Sequence, residues 1–318
     1  METLLTLLVF AVGLAIVIKG SGLFVASSVA IGVHARLPRA VIGGTLVSLA
    51  TTAPELTVSA TASAQGNPGL AVGNAVGSAI GNIGVILGVL CILRPMDVKP
   101  RDFRFPAFAM LAAGFLLTGL TVTLRLGRLR GAALVTCGVA YLALDWWRHR
   151  RRGRDGPHAA TAAEAPAMSL RRSIGLFILG AAMVVLGSRL VSDSAVKLAA
   201  LAGVPPMIIG LTLVAIGTSL PELVTAVASA RRGVPELSLG NVVGANIMNI
   251  TLITGVSAVI RPLTLTRTTQ LYNFPAMIIF FLLLLAVART GRRLTRKEGG
   301  VFVLFYIAYV IGLVLLRG

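Results

Sequence analysis

Charged residues are scarce in this chain, at 13% of 318, against about 25% in soluble domains. With 56% hydrophobic residues, it could not cover its own surface with polar groups in water, so a soluble globular domain is excluded. Acidic residues are scarcer still, 11 against 29 basic, for a net charge of +18. That imbalance would suit a nucleic-acid partner. However, the basic residues sit in short loops between apolar runs, and no basic face is interleaved with aromatics as a single-strand binder requires. Only two cysteines occur, Cys91 and Cys137, both inside apolar runs and without metal-ligand spacing. They read as small buried hydrophobes, not as a disulfide or a reactive thiol. There is no nucleophile–base pair, phosphate loop or redox ligand set, so the chain is not expected to be an enzyme or to hold a resident cofactor.

The sequence is rich in long apolar runs, many of 18 residues or more, the length that crosses a hydrocarbon core of about 30 Å as a helix. The expected fold class is an all-α polytopic membrane protein with ten transmembrane helices, over 3–31, 41–64, 69–92, 103–124, 130–147, 172–200, 207–230, 235–259, 270–288 and 299–316. The first run carries Glu2 where a signal peptide would be basic, and reads as a span rather than a removable leader. Of the 29 Lys and Arg, 20 fall in loops on one side and 7 on the other, with Lys19 and Arg189 inside spans. The positive-inside rule then puts both termini away from the cytoplasm, in a cell (inner) membrane. The segment 148–171 starts with a run of arginines and continues Ala/Pro-rich, and reads as a cytoplasmic linker.

The two sides of that linker are copies. A shift of 167 residues superposes Glu55 on Glu222, Asn82 on Asn249 and Arg94-Pro95 on Arg261-Pro262, and 17 of 40 positions in 43–82 equal those in 210–249. The expected domains are a first repeat over 1–147 and a second over 172–318. Five spans per repeat is an odd number, so the second copy enters the membrane with opposite polarity. Inverted repeats of this kind belong to secondary transporters, whose site lies near the midplane between the copies.

Ser48, Thr51, Thr52 and Glu55 share one helical face in the second span, and Ala215, Thr218, Ser219 and Glu222 repeat that pattern. A carboxylate at mid-span costs at least a few kcal/mol unless something offsets it. Of the only intramembrane bases, Lys19 and Arg189, neither lies near both glutamates in this topology, so two carboxylates await cations. Arg189 and Asp193 are expected to pair with each other, and Lys19 to snorkel. Pro54 and Pro221 precede the glutamates; each removes an N–H and kinks its helix, freeing carbonyls near Ala50–Thr51 and Gly217–Thr218. Non-helical backbone at this depth is tolerated where it lines a cavity. Asn74, Ser78 and Asn82, and likewise Asn241, Ala245 and Asn249, add a polar stripe at four-residue spacing. Freed carbonyls, threonine and serine hydroxyls and the two carboxylates form an all-oxygen set, which suits a hard cation such as Ca2+ and not zinc or copper.

The runs Gly217-Thr218-Ser219-Leu220-Pro221-Glu222 and Gly240-Asn241-Val242-Val243-Gly244-Ala245-Asn246-Ile247, with Gly43 to Gly88 in the first half, resemble the two α-repeats of the cation/calcium exchanger superfamily. The prokaryotic sodium/calcium exchangers are the most similar branch. The resemblance implies secondary-active Na+/Ca2+ antiport, with Ca2+/H+ or broader divalent-cation antiport as the alternative. It implies Ca2+ held by Glu55, Glu222 and the carbonyls of Thr51 and Thr218. Na+ would use the same glutamates with Ser48, Thr52, Ser78, Ala215 (through its carbonyl) and Ser219, while Asn82 and Asn249 flank the centre. Its partners would be these ions and membrane lipid, with no nucleic acid and a monomeric chain. The first helix of each half would slide over the remaining eight. Two departures stand out: Ala245 replaces a usual serine, and both central positions are asparagine where relatives often carry an acid.

Overall fold

The computed structural model describes residues 2–35, 37, 39–152, 168–201, 217, 219–291 and 293–315. Most of them are helical: α1 (Glu2–Ala35), α2 (Arg39–Thr51), α3 (Ala53–Ala64), α4 (Pro68–Leu93), α5 (Pro100–Leu120), α6 (Arg128–Arg152), α7 (Leu170–Leu201), α8 (Leu220–Arg231), α9 (Pro235–Ile260), α10 (Phe274–Gly291) and α11 (Arg296–Leu315). Among the described residues, eight helices are long and apolar enough to span a membrane. The pair α2–α3, bent by 45°, adds a ninth if its two helices are one span. The expected span 207–230 falls partly outside the described residues; α8 is its C-terminal part.

Polarity is inverted relative to a soluble protein. Leu4, Ile178 and Leu304 are more than 60% exposed, while Glu55, Glu222, Asn82 and Asn246 are at most 1% exposed. Apolar side chains on the outside and polar ones at the centre are the arrangement lipid demands. The chain is a multi-pass membrane protein. Cys91 is buried as expected, whereas Cys137 is exposed on the outer face of α6. The helix α6 continues to Arg152, so residues 148–152 of the expected linker are helical. Arginine is a good helix former and favours a helix C-terminus, and Arg148 lies 4.2 Å over the Phe105 ring.

The apolar core has two parts. The larger joins α4, α5, α9 and α10 through Ile80, Ile83, Leu87, Met110, Val242, Phe274 and Phe281. The smaller joins Phe24 and Val25 of α1 and Val184 of α7 to Ile42, Val47, Val234 and Leu237. The helices α1 and α7 pack mainly on each other. Their backbones approach so closely that a Cβ on Gly180 would meet Phe24 N at 2.6 Å, and one on Gly187 would meet Val17 N at 3.0 Å.

Two short antiparallel ladders tie the halves together, with Met96, Leu126, Leu263 and Leu294 buried in the larger core. In one, β1 (Met96–Asp97) pairs with β4 (Arg293–Leu294), and in the other β2 (Arg125–Leu126) pairs with β3 (Leu263–Thr264). Arginines complete the ties. The Arg94 guanidinium donates to the Ala230 carbonyl at 2.6 Å, capping the end of α8. The Arg261 guanidinium lies against Gly66, which turns the chain with φ +79 after α3.

Candidate cation site

The two Pro-Glu pairs set the geometry. Between α2 and α3 the regular ladder is interrupted at Thr52 (φ −81, ψ 2). Thr52 N–H still reaches Ser48 C=O at 2.9 Å, and Leu56 N–H reaches Thr52 C=O at 3.0 Å. Pro54 has no N–H to offer the Ala50 carbonyl. Ser219 stands at the start of α8 with nearly the same backbone (φ −92, ψ 12). Glu55 and Glu222 therefore both sit in the first turn of a half-helix, where the backbone N–H groups favour an anion.

Both glutamates are 1% exposed. Glu55 Oε2 and both oxygens of Glu222 have no hydrogen-bond partner. They are close enough to repel one another electrostatically. The Ser219 hydroxyl lies 3.4 Å from Glu55 Oε1 and 3.3 Å from Ser78 Oγ, which brings α3, α4 and the start of α8 to one point. Thr51 faces Glu222 and its hydroxyl is 3.3 Å from Asn241 Oδ1. Asn74 Nδ2 donates to Glu55 C=O at 3.2 Å and to Ser59 Oγ at 2.9 Å, holding the half-helix α3 against α4.

The remaining expected residues divide. Ser48 is buried, but its hydroxyl is turned onto Thr45 C=O at 3.1 Å. Thr52 donates to Ser48 C=O at 2.8 Å and lies 3.8 Å from Met248 Sδ. Asn82 and Asn249 are buried, and each opens a π-helical turn, Asn82–Leu87 and Asn249–Ile253. Such turns favour functional sites because they free backbone groups. Asn82 Oδ1 and both amide atoms of Asn249 lack partners. Ala215 and Thr218 lie outside the described residues.

Among the described residues, neither carboxylate has an ion pair. Lys19 and Arg189 are both exposed on the outer surface of the bundle. The expected Arg189–Asp193 pair is not formed among the described residues; Asp193 is exposed as well. Leu190, the neighbour of Arg189, lies against Gly13 of α1. Nor do the described residues hold a cluster of three or more His, Cys, Asp or Glu, so the cation chemistry here is that of two carboxylates plus neutral oxygens.

Close helix approach holds the set together. A Cβ on Gly244 of α9 would strike the Gly44 backbone of α2, at 2.6 Å from its Cα. Only paired glycines let α9 bring Asn241 to Thr51.

Residues 5–147 and 172–315 match the family model described as sodium/calcium exchanger protein. The chain belongs to the sodium/calcium exchanger family. Among its relatives, the sodium/calcium exchanger MaX1 of Methanosarcina acetivorans is 32% identical over 96% of this chain and 97% of its own. The inner membrane protein YrbG of Escherichia coli is 31% identical over 88% of this chain and 87% of its own. A solved structure of the sodium-calcium exchanger NCX_Mj, soaked with zero Na+ and Ca2+, superposes with a TM-score of 0.85 at 29% identity, covering 98% of this chain and 99% of that one. This family is one of transporters and not of enzymes.

Asn246 carries no role in the sequence reading, yet it is fully buried and accepts a hydrogen bond from Asn82 Nδ2 at 2.9 Å. It stands three residues before Asn249 and so falls off a stripe drawn at four-residue spacing. Its signal was its place one turn of helix from a central asparagine.

Proposed function

We propose that this chain is a secondary-active antiporter that exchanges Na+ for Ca2+ by alternating access at Glu55 and Glu222. The observation that carries this reading is the pair of buried carboxylates, three of whose four oxygens have no hydrogen-bond partner, with no fixed base beside them among the described residues. Two glutamates, formally −2, are balanced by one Ca2+ or by two or more Na+ sharing ligands. The empty, charged site is costly to carry through a low-dielectric interior, while either loaded state is not. Both ions need the same carboxylates, so one must leave before the other binds, and exchange follows.

Ca2+ takes six to eight oxygens at about 2.3–2.6 Å. Glu55, Glu222 and the carbonyls of Thr51 and Thr218 would supply them. Na+ would draw on Ser48, Thr52, Ser78, Ser219 and the Ala215 carbonyl with the same glutamates, while Asn82 and Asn249 flank the centre. A rotation of Ser48 or Thr52 away from its backbone partner would free its hydroxyl.

The fold is read as ten spans in two inverted five-helix repeats, 1–147 and 172–318, joined by a cytoplasmic linker. Pairs separated by 167 residues support this. Gly13 and Gly20 face α7 as Gly180 and Gly187 face α1, and Arg94 meets the turn at Gly233 as Arg261 meets the one at Gly66. The separate apolar cluster of α1 and α7 supports their sliding as a pair over the rest. The chain is placed in the inner membrane as a monomer, with both termini outside the cytoplasm.

The test uses purified protein in Na+-loaded vesicles. Removing external Na+ should drive Ca2+ uptake. Uptake indifferent to the Na+ gradient and driven by a pH gradient would replace this reading with Ca2+/H+ exchange.

A further inference from the structure

Asn82 and Asn249 occupy equivalent sequence positions but are not equivalently held. An amide presents an oxygen on one side and two N–H donors on the other. Near a cation the two orientations have opposite effects: the oxygen ligates and the NH2 group repels. What fixes the orientation therefore decides whether a central asparagine is a ligand at all.

For Asn82 the orientation is fixed by a relay. Met110 Sδ, from α5, is an acceptor only, and Asn246 Nδ2 donates to it at 3.6 Å. The amide of Asn246 is thereby turned so that its Oδ1 faces α4, where it accepts from Asn82 Nδ2 at 2.9 Å. Asn82 must then present Oδ1 on its other side, and that oxygen is buried and unpartnered. All three residues of the relay are at most 1% exposed, so water does not substitute for any of the contacts. Asn82 is one helical turn beyond Ser78, whose Oγ is 3.3 Å from Ser219 Oγ at the glutamate site.

The other half has no such relay. The position 167 residues before Asn246 is Ala79, fully buried and without an amide. Both amide atoms of Asn249 are unpartnered, and its side chain is free to turn either face to the centre.

We propose that Asn246 is a positioning residue: held by Met110, it locks Asn82 with its carbonyl oxygen toward the transported cation and so sets Ca2+ affinity, while Asn249 is left unlocked. This rests on the reading that Asn82 flanks the cation site.

The experiment measures Ca2+ binding to the detergent-purified, full-length protein by titration calorimetry, with thermal unfolding as the check on folding. Asn246→Ala should weaken Ca2+ binding about tenfold, the scale of losing one oriented polar contact to a charge. Met110→Leu, which conserves volume, should weaken it about threefold because Asn246 loses only its anchor. The decisive variant is Asn246→Ala in an Asn82→Asp background. A carboxylate presents an oxygen in either rotamer, so there the loss should shrink to less than about twofold. An equal loss in both backgrounds, or a loss that only follows a lowered unfolding temperature, would mean that Asn246 is structural and overturn the proposal. Wild-type protein that binds no Ca2+ at all would overturn the exchanger reading, and this one with it. Wild-type binding unaltered by Asn246→Ala would overturn the relay alone.

Discussion

The Ser219 hydroxyl lies 3.4 Å from Glu55 Oε1, although Ser219 begins the half-helix that carries the other glutamate. One hydroxyl thus belongs to both helix breaks, and a cation bound beside it joins them. Ser219→Ala removes that oxygen without touching either carboxylate. Losing one neutral ligand is expected to raise the Na+ concentration needed for half-maximal Ca2+ efflux about fivefold. Ca2+ half-saturation should move less, because the carboxylates dominate Ca2+ binding. A larger shift for Ca2+ than for Na+ would assign Ser219 to the other ion.

Glu55 Oε2 and both Glu222 oxygens have no hydrogen-bond partner. Replacing either glutamate by glutamine removes a buried charge that no described residue neutralises. Transport should be abolished. Stability in cation-free buffer should be unchanged or increased, since an uncompensated buried charge is itself destabilising. Wild-type protein should gain about 2.7 kcal/mol from Ca2+ at a hundred times its dissociation constant, and the variants should gain nothing. The comparison is a thermal melt with and without Ca2+.

Protons compete for the same oxygens. A protonated carboxyl is neutral and a poor ligand, so uptake should fall as pH drops and recover as it rises, with the Na+ and Ca2+ gradients held fixed. Glu55→Gln mimics the protonated state and predicts the acid limit. Flux that stays level between neutral and mildly acid pH would show that the carboxylates are not what the ions compete for.

Much of this site was legible because proline and glutamate in a membrane span admit few explanations. Pro54 and Pro221 marked the breaks at Thr52 and Ser219, and each buried acid lies just past its break. Side-chain pairing was less legible. Arg189 and Asp193 have the spacing of a helical ion pair, but both are exposed, and spacing does not fix the rotamers that would bring two exposed side chains together. Asn246 was missed for a related reason: a stripe drawn at every fourth residue follows one line on a helix, while its contact is made with α4, off that line. The span ends, such as α6 reaching Arg152, depend on how far a helix projects beyond the bilayer, which hydropathy does not record.

Ala245 is fully buried in the position that corresponds to Ser78 of the first half. Around Glu55 the hydroxyls of Ser78 and Ser219 meet, and the second half has no hydroxyl at the position matching Ser78. Ala245→Ser should restore a ligand and lower the Na+ half-saturation about fivefold. If the missing hydroxyl also limits how many Na+ bind, the reversal potential of the variant should shift toward a higher Na+:Ca2+ ratio. An unchanged Na+ dependence would mean that backbone carbonyls already fill that role.

The smaller apolar cluster gives α1 and α7 a seat that is separate from the main core, so sliding over it would disrupt few contacts of the main core. Two cross-links in a background lacking Cys91 and Cys137 distinguish movement as a pair from other movements. A Cβ on Gly13 would lie 2.9 Å from Leu190 Cβ, near the ~3.8 Å of a disulfide. Gly13→Cys with Leu190→Cys therefore bonds α1 to α7 after a small outward shift. A Cβ on Gly32 would lie 3.0 Å from Ile42 Cγ1, so Gly32→Cys with Ile42→Cys bonds α1 to α2. If α1 and α7 travel together, the first bond should leave exchange running, and the second should stop it until a reductant is added. Arrest by the first bond alone would mean that α1 and α7 shift against each other, and exchange unaffected by the second would mean that α1 does not slide over its seat.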